Sequence, residues 1–305
     1  LFDSHVHSVK VSTWYFGLVE ACGVWGTALV VGIGDGETYV ASDQQSLTAH
    51  TKRVIILNDG AIAELTAGDV QTGRLDGGVS GAQITTIDES WGEAELGDYP
   101  LYMLKEIHEQ PDSVQRTLSA YLDFVNGRAF KQDVDFKSIA RIQIVACGTA
   151  FYAAQIGRYA FEKLAGLPCD VEIASEFRYR SPALMPDTLA VAVSQSGETA
   201  DTLACLTWCK GLGLPTAALV NVHTSSMARE SQYLWPTHAG PEIGVASTKA
   251  FTAQVAALLA LAVTAGVARG RISADDEARL VQALFESPRL IAEALQMEDR
   301  MRDVP

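Results

Sequence analysis

Leu189-Ala190-Val191-Ala192-Val193-Ser194-Gln195-Ser196-Gly197-Glu198-Thr199-Ala200-Asp201-Thr202 decides the fold of this chain. Its first five residues form an apolar run rich in β-branched valine, the pattern of a strand buried on both faces. The run empties into hydroxyl residues and a glycine, and Leu203, Leu206 and Leu212 then continue at helical spacing. A strand ending in a Ser/Gly/Thr turn at a helix start presents free backbone N–H groups and the positive end of the helix dipole. Both favour an anion, phosphate above all. Ser194, Ser196 and Thr199 add uncharged donors. One helix cap needs only one such residue, so three hydroxyls around Gly197 describe a phosphate cup without a lysine. The Walker pattern does not fit, because no Gly-Lys-Ser/Thr follows. A small phosphorylated metabolite suits the loop better than a nucleoside triphosphate.

Strand and helix patterns alternate around this stretch. Ile142–Ala146, Val171–Ile173, Leu189–Val193 and Thr216–Asn221 read as strands, and Ala153–Leu164, Leu203–Leu212 and Lys249–Val267 as helices. Such alternation predicts a parallel sheet covered on both faces, with ligands beyond the carboxyl ends of its strands. Cys147-Gly148-Thr149, after the first strand, should therefore lie near Ser194-Gln195-Ser196, after the third. Ser273-Ala274-Asp275-Asp276 opens a capped helix through Leu280, Leu284 and Leu290 that heads out of the domain.

Upstream, the pattern is helical from Tyr102 to Phe124, and residues 76–98 form a glycine-rich acidic linker. Residues 26–90 read as strands and turns. Asp35-Gly36 and Asp59-Gly60 each stand between strand signals, the mark of hairpins. Gly32-Ile33-Gly34-Asp35-Gly36 mimics a dinucleotide loop, but a β pattern follows it rather than a helix.

The 305 residues have room for two domains, and 48% apolar content supports full-sized cores. A formal net charge of −14 argues against nucleic acid. No apolar run reaches membrane-spanning length, since Ala253–Val267 is interrupted by small residues and Thr264. Five scattered cysteines fit a reduced, cytoplasmic setting. Cys205 and Cys209 lack the partners of a zinc set, so no metal is expected. Leu1-Phe2-Asp3-Ser4-His5 is no signal peptide and has no initiator Met, which points to a piece of a longer protein.

Several blocks, in order, resemble the glutamine:fructose-6-phosphate amidotransferase (glucosamine-6-phosphate synthase) family. They are Lys105-Glu106-Ile107-His108-Glu109-Gln110-Pro111, Ala146-Cys147-Gly148-Thr149, Pro168-Cys169-Asp170-Val171-Glu172 through Ser175-Glu176-Phe177-Arg178-Tyr179-Arg180, Ser194 to Thr202, and Glu242-Ile243-Gly244-Val245-Ala246-Ser247-Thr248-Lys249-Ala250-Phe251-Thr252. The match is dense from about Tyr102 to Ala268, looser from Gly26 to Leu65, and poor before that.

The resemblance implies an α/β fold: a sugar-isomerase (SIS) parallel sheet flanked by helices, preceded by a mainly β remnant of an Ntn-type glutaminase domain. It implies residues 1–92 as the end of that domain plus linker and 93–272 as the first SIS domain with its leading helices. Residues 273–305 would be a helix leading toward a second SIS domain. In the family, ammonia released from glutamine converts fructose 6-phosphate to glucosamine 6-phosphate in a cytoplasmic homodimer, with no cofactor, membrane or nucleic acid. By resemblance, Ser194, Gln195, Ser196 and Thr199 contact phosphate, while Cys147, Gly148, Thr149, Val245 and Ser247 contact sugar.

The family's catalytic positions are implied to lie outside the chain: its nucleophilic cysteine before residue 1, its isomerase base, ring-opening histidine and Schiff-base lysine after Pro305. Proton transfer between C1 and C2 needs a positioned base, and imine formation needs a lysine. Lys249 opens a helix, where packing or capping suits it. Glu198 should turn away from a phosphate and help fix the loop. Ala150 stands where the family often has serine, a lost hydroxyl costing on the order of 1 kcal/mol. Two other readings are weaker. A non-catalytic SIS sugar-phosphate module would more usually carry a basic DNA-binding head. His5-x-His7 of a metal-dependent amidohydrolase lacks supporting ligands, since His50, His108, His223 and His238 fall in no pattern.

Overall fold

The computed structural model describes residues 9–11, 17–20, 29–41, 47, 50–57, 61–66, 69–74, 77, 83–86, 96–180 and 182–298. His5, His7, Cys22 and the Asn58-Asp59-Gly60 turn lie outside them. The chain divides into two compact units, Leu1–Glu95 and Leu96–Pro305.

The first unit is antiparallel. One sheet has the order β1(Val9–Val11), β4(Thr38–Ala41), β3(Leu29–Ile33), β5(Arg53–Leu57), β8(Ile84–Thr86); the other has β2(Gly17–Glu20), β6(Ala61–Thr66), β7(Asp69–Arg74). β3 and β4 form the expected hairpin, with Ile33 opposite Thr38 and Gly34 N–H donating to Glu37 O at 2.9 Å. The glycine run is therefore a turn and not a dinucleotide loop. The second hairpin expectation is corrected: β5 pairs with β3 and β8, whereas β6 pairs with β2 and β7. The chain changes sheets there because alternate residues of both strands, Ile55 and Leu57 with Ala61, Ala63 and Leu65, enter one shared core. The linker expectation is also too broad, since Ile84–Thr86 is an edge strand on β5.

The second unit opens with α1(Tyr102–His108) and α2(Gln110–Ser119), the expected leading helices, which end before the Phe124 limit of the helical pattern. Pro111 sits at the start of α2, where its missing N–H is no loss, and Leu122 and Asp123 instead form β9 of a ribbon with β10(Arg128–Ala129). A parallel five-stranded sheet follows, in the order β12(Cys169–Ile173), β11(Arg141–Ala146), β13(Thr188–Ser194), β14(Thr216–Val220), β15(Tyr233–Pro236). Every residue of β13 is buried, as its unbroken apolar run requires.

Helices cover both faces. α3(Gly148–Ala160), its π-helical continuation Phe161–Ala165 and α7(Lys249–Ala268) lie on one, where Ile144, Val191 and Leu219 meet Phe161, Leu258 and Leu261. α4(Ala174–Arg180) and α5(Ala200–Gly211) lie on the other, where Ala190, Ala192 and Val220 meet Phe177, Leu203 and Leu206. α4, the short α6(Ser226–Glu230) and β15 were not read from the sequence. Apolar alternation is too brief in these to register.

α7 corrects the length expectation. At 20 residues it is long and apolar enough to cross a membrane by length and composition, but 72% of its apolar window is buried within the protein. α8(Ala274–Leu295) starts at the expected cap, Ser273 Oγ accepting from Asp276 N–H at 3.2 Å. It lies against this same unit: Glu277 Oε1 accepts from Ala129 N–H at 2.8 Å, and the Phe285 and Phe124 rings are 5.0 Å apart.

Ile144 is fully buried on β11, between β12 and β13, so Ile144→Ala leaves a void that close-packed neighbours fill only in part. It should cost about 2–5 kcal/mol, read as a lowered unfolding midpoint in urea.

Candidate functional site

The sheet order reverses between β11 and β13: the chain leaves β11 for β12 on one side and returns to β13 on the other. The loops after these two strands therefore diverge and leave a crevice, the place where open α/β sheets bind ligands. A cavity of about 500 Å³ occupies it. Cys147, Gly148 and Thr149 reach it from the end of β11, Ser194, Gln195, Ser196 and Thr199 from the end of β13, and Val245 and Ser247 from the strap of residues 237–248 that leads into α7. The structure brings together all nine residues singled out in the sequence.

The Ser194–Thr199 loop is fixed from within. Ser194 Oγ accepts from Gly197 N–H at 3.0 Å and lies 3.1 Å from Thr199 Oγ1, and Ser196 Oγ accepts from Glu198 N–H at 3.2 Å. Gly197 has φ +69°, and a Cβ there would stand 2.0 Å from Ser225 Oγ, so only glycine fits. Glu198 turns away from the cup, as expected of a carboxylate beside an anion site, and its Oε1 accepts from Ser226 N–H at 2.7 Å.

Capping does not account for the hydroxyls. Thr199 occupies the N-cap position of α5 and Cys147 that of α3, yet neither side chain bonds a backbone N–H of its helix. Two helix N-termini thus open on the cavity with their dipoles unanswered, each equivalent to roughly half a positive charge. The third helix start is treated differently: Glu242 Oε1 accepts from Thr248 N–H at 2.8 Å and Ala250 N–H at 3.2 Å. Among the described residues, no lysine or arginine lines the cavity.

Glu242, Gly244, Ala246 and Gln254 also line it and were not identified from the sequence as contacts. Gln254 lies within an apolar helical run and reads there as an interruption. Gln195 Nε2 and Gln254 Oε1 are buried without a hydrogen-bond partner, unusual for polar atoms inside a protein and suited to a polar ligand. Ala150 lines the cavity where a serine hydroxyl would have reached it.

Lys249 takes the structural role expected of it. Its side chain is buried and its ammonium bonds Glu109 of the α1–α2 junction, which Lys105 also reaches at 3.3 Å. Cys205 and Cys209 are core residues whose thiols burial pushes up to about 12 and about 11. Among the described residues no three His, Cys, Asp or Glu side chains gather as a metal site.

Residues 135–264 match the SIS domain family. Over 280 residues the chain is 50% identical to a glutamine–fructose-6-phosphate aminotransferase (isomerizing) of Caulobacter vibrioides, covering 92% of this chain and 46% of that protein. A protein of the same name from Pseudomonas syringae pv. tomato is 46% identical over 284 residues, with the same coverage. The chain thus spans about half the length of the curated relatives it matches. The C-terminal domain of glucosamine-fructose-6-phosphate aminotransferase from Francisella tularensis superposes with a TM-score of 0.66 at 39% identity, covering 68% of this chain and 59% of that one.

Burial pushes the Glu109 carboxyl up, but its bonds to Lys249 and Lys105 outweigh this and hold it below its ordinary value. A depressed carboxyl contributes stability above its unfolded pKa and loses it as pH falls through the folded value. Glu109→Gln should therefore flatten the acid limb of thermal stability below about pH 4.3, measured by melting temperature against pH.

Proposed function

We propose that this chain, which carries a SIS domain, holds fructose 6-phosphate in the cavity between β11 and β13. The phosphate sits against Ser194, Gln195, Ser196 and Thr199, and the sugar against Cys147, Gly148, Thr149, Val245 and Ser247. In this reading the chain supplies the hexose-phosphate-binding part of a glutamine-dependent synthesis of glucosamine 6-phosphate, the reaction in which its longer relatives are named. The observation that carries it is the pair of uncapped helix N-termini converging on a hydroxyl-lined cavity. A dianion there is met by backbone N–H groups, two dipole ends and neutral donors.

The lining offers groups for binding rather than for proton transfer. Among the described residues, Glu242 is the carboxylate in the lining, and it is already engaged by two backbone N–H groups, whereas moving a proton between C1 and C2 requires a base within hydrogen-bond reach of the sugar. Ammonia from glutamine would come through a glutaminase part, and the working assembly would be a cytoplasmic homodimer.

Calorimetric titration with fructose 6-phosphate, run in parallel on Ser196→Ala, tests the reading. Loss of one hydrogen bond to a charged phosphate costs about 1.5–3 kcal/mol, so the variant should bind at least tenfold more weakly. The ligand should also raise the melting temperature of the unaltered chain with concentration. No heat up to millimolar ligand in a folded chain would refute it.

A further inference from the structure

We propose that Glu106 is a positioning residue for sugar recognition: from α1 it grips the backbone of the strap and sets Val245 and Ser247 over the cavity. The inference rests on the hexose-phosphate reading of that cavity. Glu106 is 2% exposed although it is ionisable, and a buried carboxylate persists only where donors compensate it. Its donors are both in the strap: Oε1 accepts from Ile243 N–H at 2.6 Å, and Gly244 N–H is 3.1 Å from Oε1 and 3.2 Å from Oε2. Gly244 is what allows the approach, since a Cβ there would stand 2.5 Å from Glu106 Oε2.

The next residue in the chain is Val245. Its side chain is fully exposed, so no packing of its own holds it at the cavity. Ser247, two residues further, is half-buried. Their placement is set by what holds the backbone on either side, namely Glu106 at 243–244 and Glu242 at 248 and 250. The phosphate loop has its own anchors, Asn221 N–H on Gln195 O, Ser226 N–H on Glu198 and Met227 N–H on Gly197 O, and its one link to the strap runs through Asn221 to the strap's first residues, Ala239 and Gly240, not through the 243–244 backbone that Glu106 grips.

The two halves of the cavity can therefore be separated by experiment. Fructose 6-phosphate and inorganic phosphate are titrated into the full chain and into Glu106→Gln, Glu106→Ala and Gly244→Ala, with amide hydrogen exchange followed at Ile243 and Gly244. In Glu106→Ala, the sugar phosphate should bind about tenfold more weakly, about 1.4 kcal/mol, while inorganic phosphate changes less than about twofold. Glu106→Gln keeps one acceptor and should fall between. Exchange at 243–244 should rise while β13 amides stay protected. Equal losses for both ligands, unchanged sugar-phosphate affinity, or unchanged exchange at 243–244 would each overturn the proposal. An unaltered chain that binds neither ligand refutes the hexose-phosphate reading and the positioning role with it. In that case the exchange data alone show whether Glu106 holds the strap.

Discussion

The reversal of strand order between β11 and β13 is the constraint on which the rest depends. Both strands are buried, parallel and adjacent, so the helices after them must leave the same edge of the sheet in diverging directions. α3 and α5 then begin beside one another with their N-termini on the gap. Neither Cys147 nor Thr199 answers those first-turn N–H groups. A fold that needs parallel strands for its core thereby sets two helix N-termini, with their positive dipole ends, at its edge.

The charge balance of the cavity follows from that geometry. The chain carries a formal net charge of −14, an unfavourable background for a phosphate, and among the described residues no cationic side chain stands in the lining. Attraction must come from short-range dipoles, which act within about the first helical turn and little beyond it. A phosphate bound as proposed would be held without a positive surface around it. The carboxylates nearby are consistent with this arrangement. Glu198 is drawn aside by Ser226 N–H, and Glu242 is spent on the start of α7.

How much of this was legible in the sequence depends on the scale at which each feature is encoded. β13 is written in seven consecutive buried residues, and the Ser194–Thr199 loop follows it directly, so strand, loop and helix start could be read together. α4 and α6 span seven and five residues, too few for a helical period to emerge, and were missed. The β5–β6 connection reads as a hairpin locally. It fails as one because the shared core of two sheets, a long-range property, decides the pairing. Gln254 and Glu106 were invisible as site-related residues for a related reason: each is a polar residue within a helical pattern, and only the approach of the strap gives it a role.

The cavity is consequently built to two different standards. Its Ser194–Thr199 side is made of contacts close in sequence, Ser194–Gly197 and Ser196–Glu198 within the loop and Asn221, Ser226 and Met227 about thirty residues or fewer away. Its sugar side is made of contacts across more than a hundred residues of chain, Glu106 to Ile243 and Gly244, and Glu109 to Lys249. Non-local contacts form only after loop-closure entropy has been overcome, and they open at lower cost than the core beneath them. On the proposed reading, affinity for phosphate is a property of the sheet edge, whereas discrimination among sugars depends on α1 and α2 being docked. On that reading, a change behind the cavity wall, in the Lys105–Pro111 segment, alters which sugar phosphate is held while leaving the capacity to hold a phosphate intact.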